Sequence, residues 1–228
     1  MKKVFIGVGH GGSDPGAIGN GFKEKDLNLS IAVACKDVLE RHGVEVLMSR
    51  YTDENDSIKE EIKECNATSP LLAIDIHNNA GGGDGFEAYY HFKGGLSKTL
   101  AENIEGEVIK LGQNSRGCKT KIGNGGVDYY GFIRETVCPA IVLECCFVDN
   151  EKDITILDTT EEQRKFGEAI AKGILRTLGI IFQEEIVSAE VAAKKIQEKC
   201  GFENKTMEYL WAYKYGKDLM LKLWKAMN

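Results

Sequence analysis

The chain predicts an α/β fold: a mixed, mostly parallel twisted sheet of about six strands flanked by helices, followed by a small all-α module. Three observations predict it. Short apolar runs (Val4 to Val8, Val44 to Met48, Leu71 to Ile76, Pro139 to Glu144) recur through the first 179 residues. Between them lie segments with apolar residues at helical spacing, the alternation expected of a sheet covered by helices. Beyond Gly179 to Gln183 the composition shifts, and three short helical patterns follow with no strand-like run.

The first strand, Val4 to Val8, closes on His10, and a loop rich in Gly and Asp follows. Glu24 then precedes Asp26, read as the N-cap of a helix carrying Leu27, Ile31, Ala34, Val38 and Leu39 on one face. Gly43 is the expected stop. His42, at the end of that helix, suits the helix dipole and needs no catalytic role. Val44 to Met48 is the next strand. The charged stretch Tyr51 to Asn66 reads as a loop and then a solvated surface helix. Pro70 opens a strand that ends in His77, and a Gly-rich turn leads to a strand over Glu87 to Tyr90. Glu87 fits either a partner of a nearby metal site or a rim carboxylate, and His91 is expected on the surface. Ser97 is the expected cap of a helix bearing Leu100, Ile104, Val108 and Leu111, which Gly112 ends.

From Gln113 to Gly131 there is no periodicity, so this stretch reads as a long loop forming a mobile wall of a substrate groove. A phosphate-cradling loop is the competing idea, but no Lys-Ser/Thr and no helix follow its GNGG. Glu144 ends the last apolar run, where a buried carboxylate needs a charged partner. Cys145 and Cys146 read as small packing residues rather than a thiol site. A helix from Glu161 to Leu178, with Phe166, Ile170, Ile174 and Leu178 inward, closes the first domain, residues 1–179.

The chemistry-bearing residues stand out by position. The chain has four His, and two of them, His10 and His77, close strands on what the fold makes one sheet edge. With Glu24 at a helix start they supply two imidazoles and a carboxylate, the donor set a catalytic Zn²⁺ takes with one position left for water.

Composition bounds the rest. A formal net charge of −6 argues against a general nucleic-acid binder. No apolar run is long enough to cross a bilayer. Seven Cys without regular spacing point to reduced thiols and synthesis in the cytoplasm. The five-residue apolar run before His10 is too short for the core of a signal peptide.

At GHGGSDPGAIG (His10), FKEKDLNL (Glu24), DIHNNA (His77), GFEAYY and PAIVLECCFVDN (Glu144), the chain resembles the zinc-dependent N-acetylmuramoyl-L-alanine amidases of type 3. Separated motifs in the family's order make the resemblance specific, and it covers roughly residues 1–178. It departs from the family at Asp75, where Ser is usual, at Cys146, where Gly is usual, and in SIKEEIKECNA, which lacks the usual Arg. The resemblance implies a peptidoglycan hydrolase that cuts the amide between N-acetylmuramic acid and L-alanine. It implies Zn²⁺ on His10, Glu24 and His77, and Glu144 as the general base. It also implies substrate contacts from Asn79 and from Arg134, which would clamp a carboxylate unless it forms a surface salt bridge.

With no signal peptide, the resemblance favours a phage endolysin, made in the host bacterial cytoplasm and then released to the cell wall. The alternatives are an autolysin or germination amidase of the same activity, a zinc peptidase acting on wall peptides, and a non-catalytic wall-binding protein. The tail, residues 180–228, holds both Trp of the chain, Trp211 and Trp224, beside Tyr209, Tyr213 and Tyr215. From Gln183 on, it carries eight Lys against seven Asp and Glu, a different balance from the acidic remainder. It is expected to be a small helical module that binds the bacterial cell wall or pairs with its copy in a homodimer.

Overall fold

The structure is a computed structural model and describes residues 2–184 and 188–227. It divides into two compact units, Met1–Phe182 and Gln183–Asn228.

In the first unit, β1 (Lys2–Val8) leads to the short hairpin β2 (Ile18–Gly19) and β3 (Phe22–Lys23). Helix α1 (Glu24–Arg41), β4 (Val44–Met48), α2 (Ile58–Thr68), β5 (Leu72–Asn79) and β6 (Phe86–Tyr90) follow. Then come α3 (Leu96–Ile109), β7 (Ser115–Lys119), the short α4 (Gly131–Glu135), β8 (Ala140–Phe147) and α5 (Thr160–Thr177). The six-stranded sheet has the order β4-β1-β5-β8-β6-β7. The pairs β1–β4, β1–β5, β5–β8 and β6–β7 are parallel, and β6–β8 is antiparallel. The sheet is therefore mixed and mostly parallel, as the sequence predicts.

Strand period two sorts the side chains onto two faces. Val4, Ile6, Val8, Leu72, Ile74, Ile76, Ile141 and Leu143 enter the larger core with residues of α1, α3 and α5. Phe5, Ala73, Ala140 and Val142 face the other way, onto Ile62 and Cys65 of α2 and Phe132 and Ile133 of α4. The chain leaves β1 toward β4 and returns to β5 on β1's other side, so β1 and β5 flank the point where the strand order reverses. Such a point opens a crevice at the strands' carboxyl ends.

Several expectations are corrected. Lys23, not Asp26, is the N-cap of α1. In the turn before it, Glu24 N–H donates to Ala17 O and Lys25 N–H to Pro15 O. Gly95, not Ser97, caps α3, and Ser97 sits in the first turn donating its hydroxyl to Gly94 O. The stretch after Gln113 is not a continuous loop, because β7 pairs with β6 as an edge strand. Helix α2 is not a purely solvated helix: Glu61, Ile62 and Cys65 are buried. Strands β5 and β8 run past His77 and Glu144, which makes those two residues strand residues rather than strand ends.

In the second unit, α6 (Ala189–Cys200), α7 (Asn204–Ala212) and α8 (Gly216–Ala226) bury Ala192, Ile196, Met207 and Met220. Trp211 and Trp224 pack against that small core, whereas Tyr209, Tyr213 and Tyr215 are exposed. The division falls after Phe182, a few residues beyond the expected 179. Phe182 belongs with the first unit because its ring stacks on His42 and lies under the Lys172 ammonium.

Candidate metal centre

His10, Glu24 and His77 converge at the carboxyl ends of β1 and β5. One donor atom from each lies within 4.8 Å of the other two. Register explains part of this. Gly9 N–H donates to Ile76 O, which sets the loop after β1 beside His77. A Cβ on Gly9 would stand 2.2 Å from the His77 ring, so only glycine leaves room for the imidazole. His10 itself has φ +64°, an uncommon region for a side-chain-bearing residue and one found at sites held by their surroundings. Asn28, buried on α1, donates to Gly9 O and pins that turn. The buried guanidinium of Arg50 does the same from β4's end, donating to Val8 O and Lys25 O.

Glu24 stands in the first turn of α1, where the helix dipole favours a carboxylate. Its Oε1 accepts from Asn78 N–H at 3.0 Å, and its Oε2 accepts from Ala17 N–H at 2.8 Å. His77 Nδ1 lies 3.0 Å from Oε1 and His10 Nε2 lies 3.2 Å from Oε2. Burial works to raise the Glu24 pKa, but the hydrogen bonds from His10 and His77 outweigh it and hold the carboxyl well below the usual range. The hydrogen bond to Glu24 raises His10. His77 is also raised: burial opposes this, and Asp75 and Glu24 overcome it.

Each imidazole has a second carboxylate behind it. His10 Nδ1 meets Asp14 Oδ2 at 2.8 Å, and His77 Nε2 meets Asp75 Oδ2 at 3.3 Å. A ring nitrogen bound to an outer carboxylate fixes the tautomer and turns the opposite nitrogen toward a shared point, the arrangement found around metal-ligating histidines. The donors therefore fit a divalent ion: two imidazole nitrogens and one anionic oxygen, gathered and oriented from outside.

Glu144 is the register partner of His77 on β8, so both project from the same face of the sheet. Burial pushes its carboxyl up to about 7. Both residues line a pocket of about 470 Å³, walled by Tyr130 and Phe132 on one side and by Ile58 and Glu61 of α2 on another.

Of the remaining candidates, Glu87 is the register partner of Glu144 on β6. Arg134 donates to Asp128 O, Tyr129 O and Glu135 Oε1, so it braces the loop before α4. Asn79 ends β5 and its Oδ1 accepts from Ala80 N–H. Glu87 pairs with Arg116 and Lys119 and accepts from Tyr89. His91 pairs with Asp128. Cys145 and Cys146 are buried thiols in the core. The contacts made by Asp14, Asp75 and Glu61 were missed by sequence reasoning. The signal for Asp14 is its place four residues after His10. That for Asp75 is its place two residues before His77, hence on one strand face.

An α/β sheet with a His–Glu–His cluster at its switch point and a half-buried carboxyl group beside it defines a candidate metal-dependent hydrolase. A family model described as N-acetylmuramoyl-L-alanine amidase matches residues 4–176, and the chain belongs to that family. It is 38% identical over 177 residues to a sporulation-specific N-acetylmuramoyl-L-alanine amidase of Bacillus subtilis, covering 76% of this chain and 65% of that protein. It is 32% identical over 188 residues to the endolysin of Bacillus phage SPP1, covering 78% of this chain and 67% of the endolysin. Among solved structures, the catalytic domain of the amidase CwlV from Bacillus (Paenibacillus) polymyxa var. colistinus superposes with a TM-score of 0.71 at 30% identity, over 79% of this chain and all of that domain.

Proposed function

We propose that the chain hydrolyses the amide between N-acetylmuramic acid and L-alanine in peptidoglycan, with one zinc ion held by His10, Glu24 and His77. The observation that carries this reading is the placement of Glu144 beside His77, facing the pocket that His10 and His77 line. When bound, zinc polarises a carbonyl and acidifies water. Asp14 and Asp75 keep the two imidazoles turned inward. Glu144 takes a proton from the attacking water and hands it to the departing alanine nitrogen. A carboxyl group poised near neutrality suits both halves of that task. Neither a Ser–His nor a Cys–His pair is needed, because water is the nucleophile.

The test is digestion of purified peptidoglycan with and without a chelator, followed by mass analysis of the fragments. An amidase frees L-alanine amino groups and no reducing sugar. Release of amino groups from a cross-bridge instead would identify a peptidase.

The biological setting proposed is that of an endolysin acting on the wall from within the host, in line with the similarity to the SPP1 endolysin. A second reading, a bacterial autolysin or a sporulation or germination amidase, is favoured by the 38% identity to the sporulation-specific enzyme. Phage structural genes or sporulation genes beside this one distinguish the two. The second unit is proposed to hold the enzyme on the wall. Pairing of its helices in a homodimer is the other proposal, read by sedimentation equilibrium.

A further inference from the structure

Glu61 takes no part in the chemistry above, yet it is 4% exposed and stands in the pocket wall next to the candidate centre. Its Oε1 is shut off from solvent and has no hydrogen-bond donor, and the same is true of Oδ1 of Asp75. Buried acceptors without donors are costly and rare. The two oxygens meet over the backbone of Gly7: a Cβ there would stand 1.9 Å from Glu61 Oε1 and 2.9 Å from Asp75 Oδ1. Carboxyl oxygens that meet in a dry site require a hydrogen between them. Asp75 presents its other oxygen to His77 Nε2 at 3.3 Å, and Glu61 stands on the far side of Asp75 from that ring, so the hydrogen is assigned to Glu61. Burial and the neighbouring Asp75 charge push the Glu61 carboxyl well above the usual range, in keeping with that assignment.

We infer that Glu61 is a positioning residue: its carboxyl group donates to Asp75, fixes that side chain, and through it sets the ring of His77, whose Nδ1 faces Glu24. The inference rests on His77 being a metal ligand. It joins three elements, α2, β1 at Gly7 and β5, into one support for a single imidazole.

The experiment uses the full chain and zinc alone as the probe. Zinc affinity is measured by competition with a chromogenic chelator for the wild type, Glu61→Gln, Glu61→Met and Gly7→Ala. Gln keeps a donor, and Met keeps the volume without one. Ala at position 7 keeps both acids in the chain but drives the end of Glu61 away and presses, less strongly, on Asp75. Glu61→Gln is expected to bind zinc within about threefold of the wild type, and Glu61→Met and Gly7→Ala about 10- to 100-fold more weakly, the usual effect of losing an outer partner of a ligand. In nitrogen NMR of the zinc-loaded protein, the His77 Nε2 proton should be protected in the wild type and in Glu61→Gln, and lost to exchange in Glu61→Met. Wild-type affinity in Glu61→Met overturns the inference. So does Glu61→Gln falling as far as Glu61→Met, which would show that charge rather than a donor matters. So, too, does a second zinc per chain that Glu61→Gln abolishes, which would make the acid pair a cation site in its own right. If Glu61→Met does not fold, Gly7→Ala decides by the same criterion. Zinc titration needs no substrate, so failure of the amidase reading would show separately, as wall amides left uncut by the zinc-loaded wild type.

Discussion

His10 and His77 place their rings 5.1 Å apart at 82°, with Glu24 reaching both. Removing either imidazole leaves two donors, too few to hold zinc against solvent. His10→Ala and His77→Ala are expected to lose most of their zinc during purification, read by atomic emission. Glu144 lies outside the donor set, so Glu144→Gln should keep a full zinc complement while turnover falls by about 10²- to 10⁴-fold, the usual worth of a positioned acid–base group. Retained turnover in that variant would remove Glu144 from the chemistry. These four residues stand out in the sequence because His10, His77 and Glu144 follow buried apolar runs and Glu24 opens an amphipathic helix. Asp14, Asp75 and Glu61 carry no such mark. Their part is to touch a ring nitrogen or another carboxyl group, and that becomes visible only when strand register and helix position are known. Arg134 shows the reverse: it stands out in the sequence, yet its guanidinium is taken up by loop carbonyls and Glu135.

Elements were legible where burial dictates pattern. The central strands β1, β5 and β8 are almost wholly buried and read as apolar runs. Strand β7, SRGCK, is an edge strand with exposed and half-buried positions, so no hydrophobic alternation announces it. The caps of α1 and α3 were misplaced for a related reason: Lys23 and Gly95 cap through backbone geometry and offer no side-chain hydrogen bond. Helix α5 is more explicit. Thr159 accepts from Glu162 N–H while the Glu162 side chain bonds back to Thr159, a reciprocal capping box. Thr159→Ala should lower stability by about 1 kcal/mol in urea unfolding. Farther along α5, Gly173 lets the helix lie against α3, since a Cβ there would stand 2.5 Å from Ile104 Cα. Ala is the better helix former by about 1 kcal/mol, but here the clash is with backbone that cannot rotate away. Gly173→Ala is therefore expected to destabilise the fold, by about 1–3 kcal/mol. An increase in stability would mean that α5 can slide on α3.

The two units have separate cores. The family match ends at residue 176, within the first unit, and that unit contains every residue placed at the candidate centre. Ile180 and Phe182 still pack on its core, so a chain stopped after Phe182 keeps that core whole. The second unit buries few residues and leaves Tyr209, Tyr213 and Tyr215 largely in solvent, on a segment richer in Lys than the acidic remainder. Tyrosine rings displayed in this way suit the faces of sugars, which stack on aromatic surfaces, and nearby ammonium groups suit an anionic wall. Truncation after Phe182 is accordingly expected to leave zinc content and the cleavage of soluble muropeptides unchanged, and to abolish co-sedimentation with purified walls. Tyr209→Ala with Tyr213→Ala in the full chain should weaken sedimentation without touching soluble turnover. A truncated chain that sediments with walls as well as the full chain would place wall affinity in the first unit, and the second would then be left with self-association as its task.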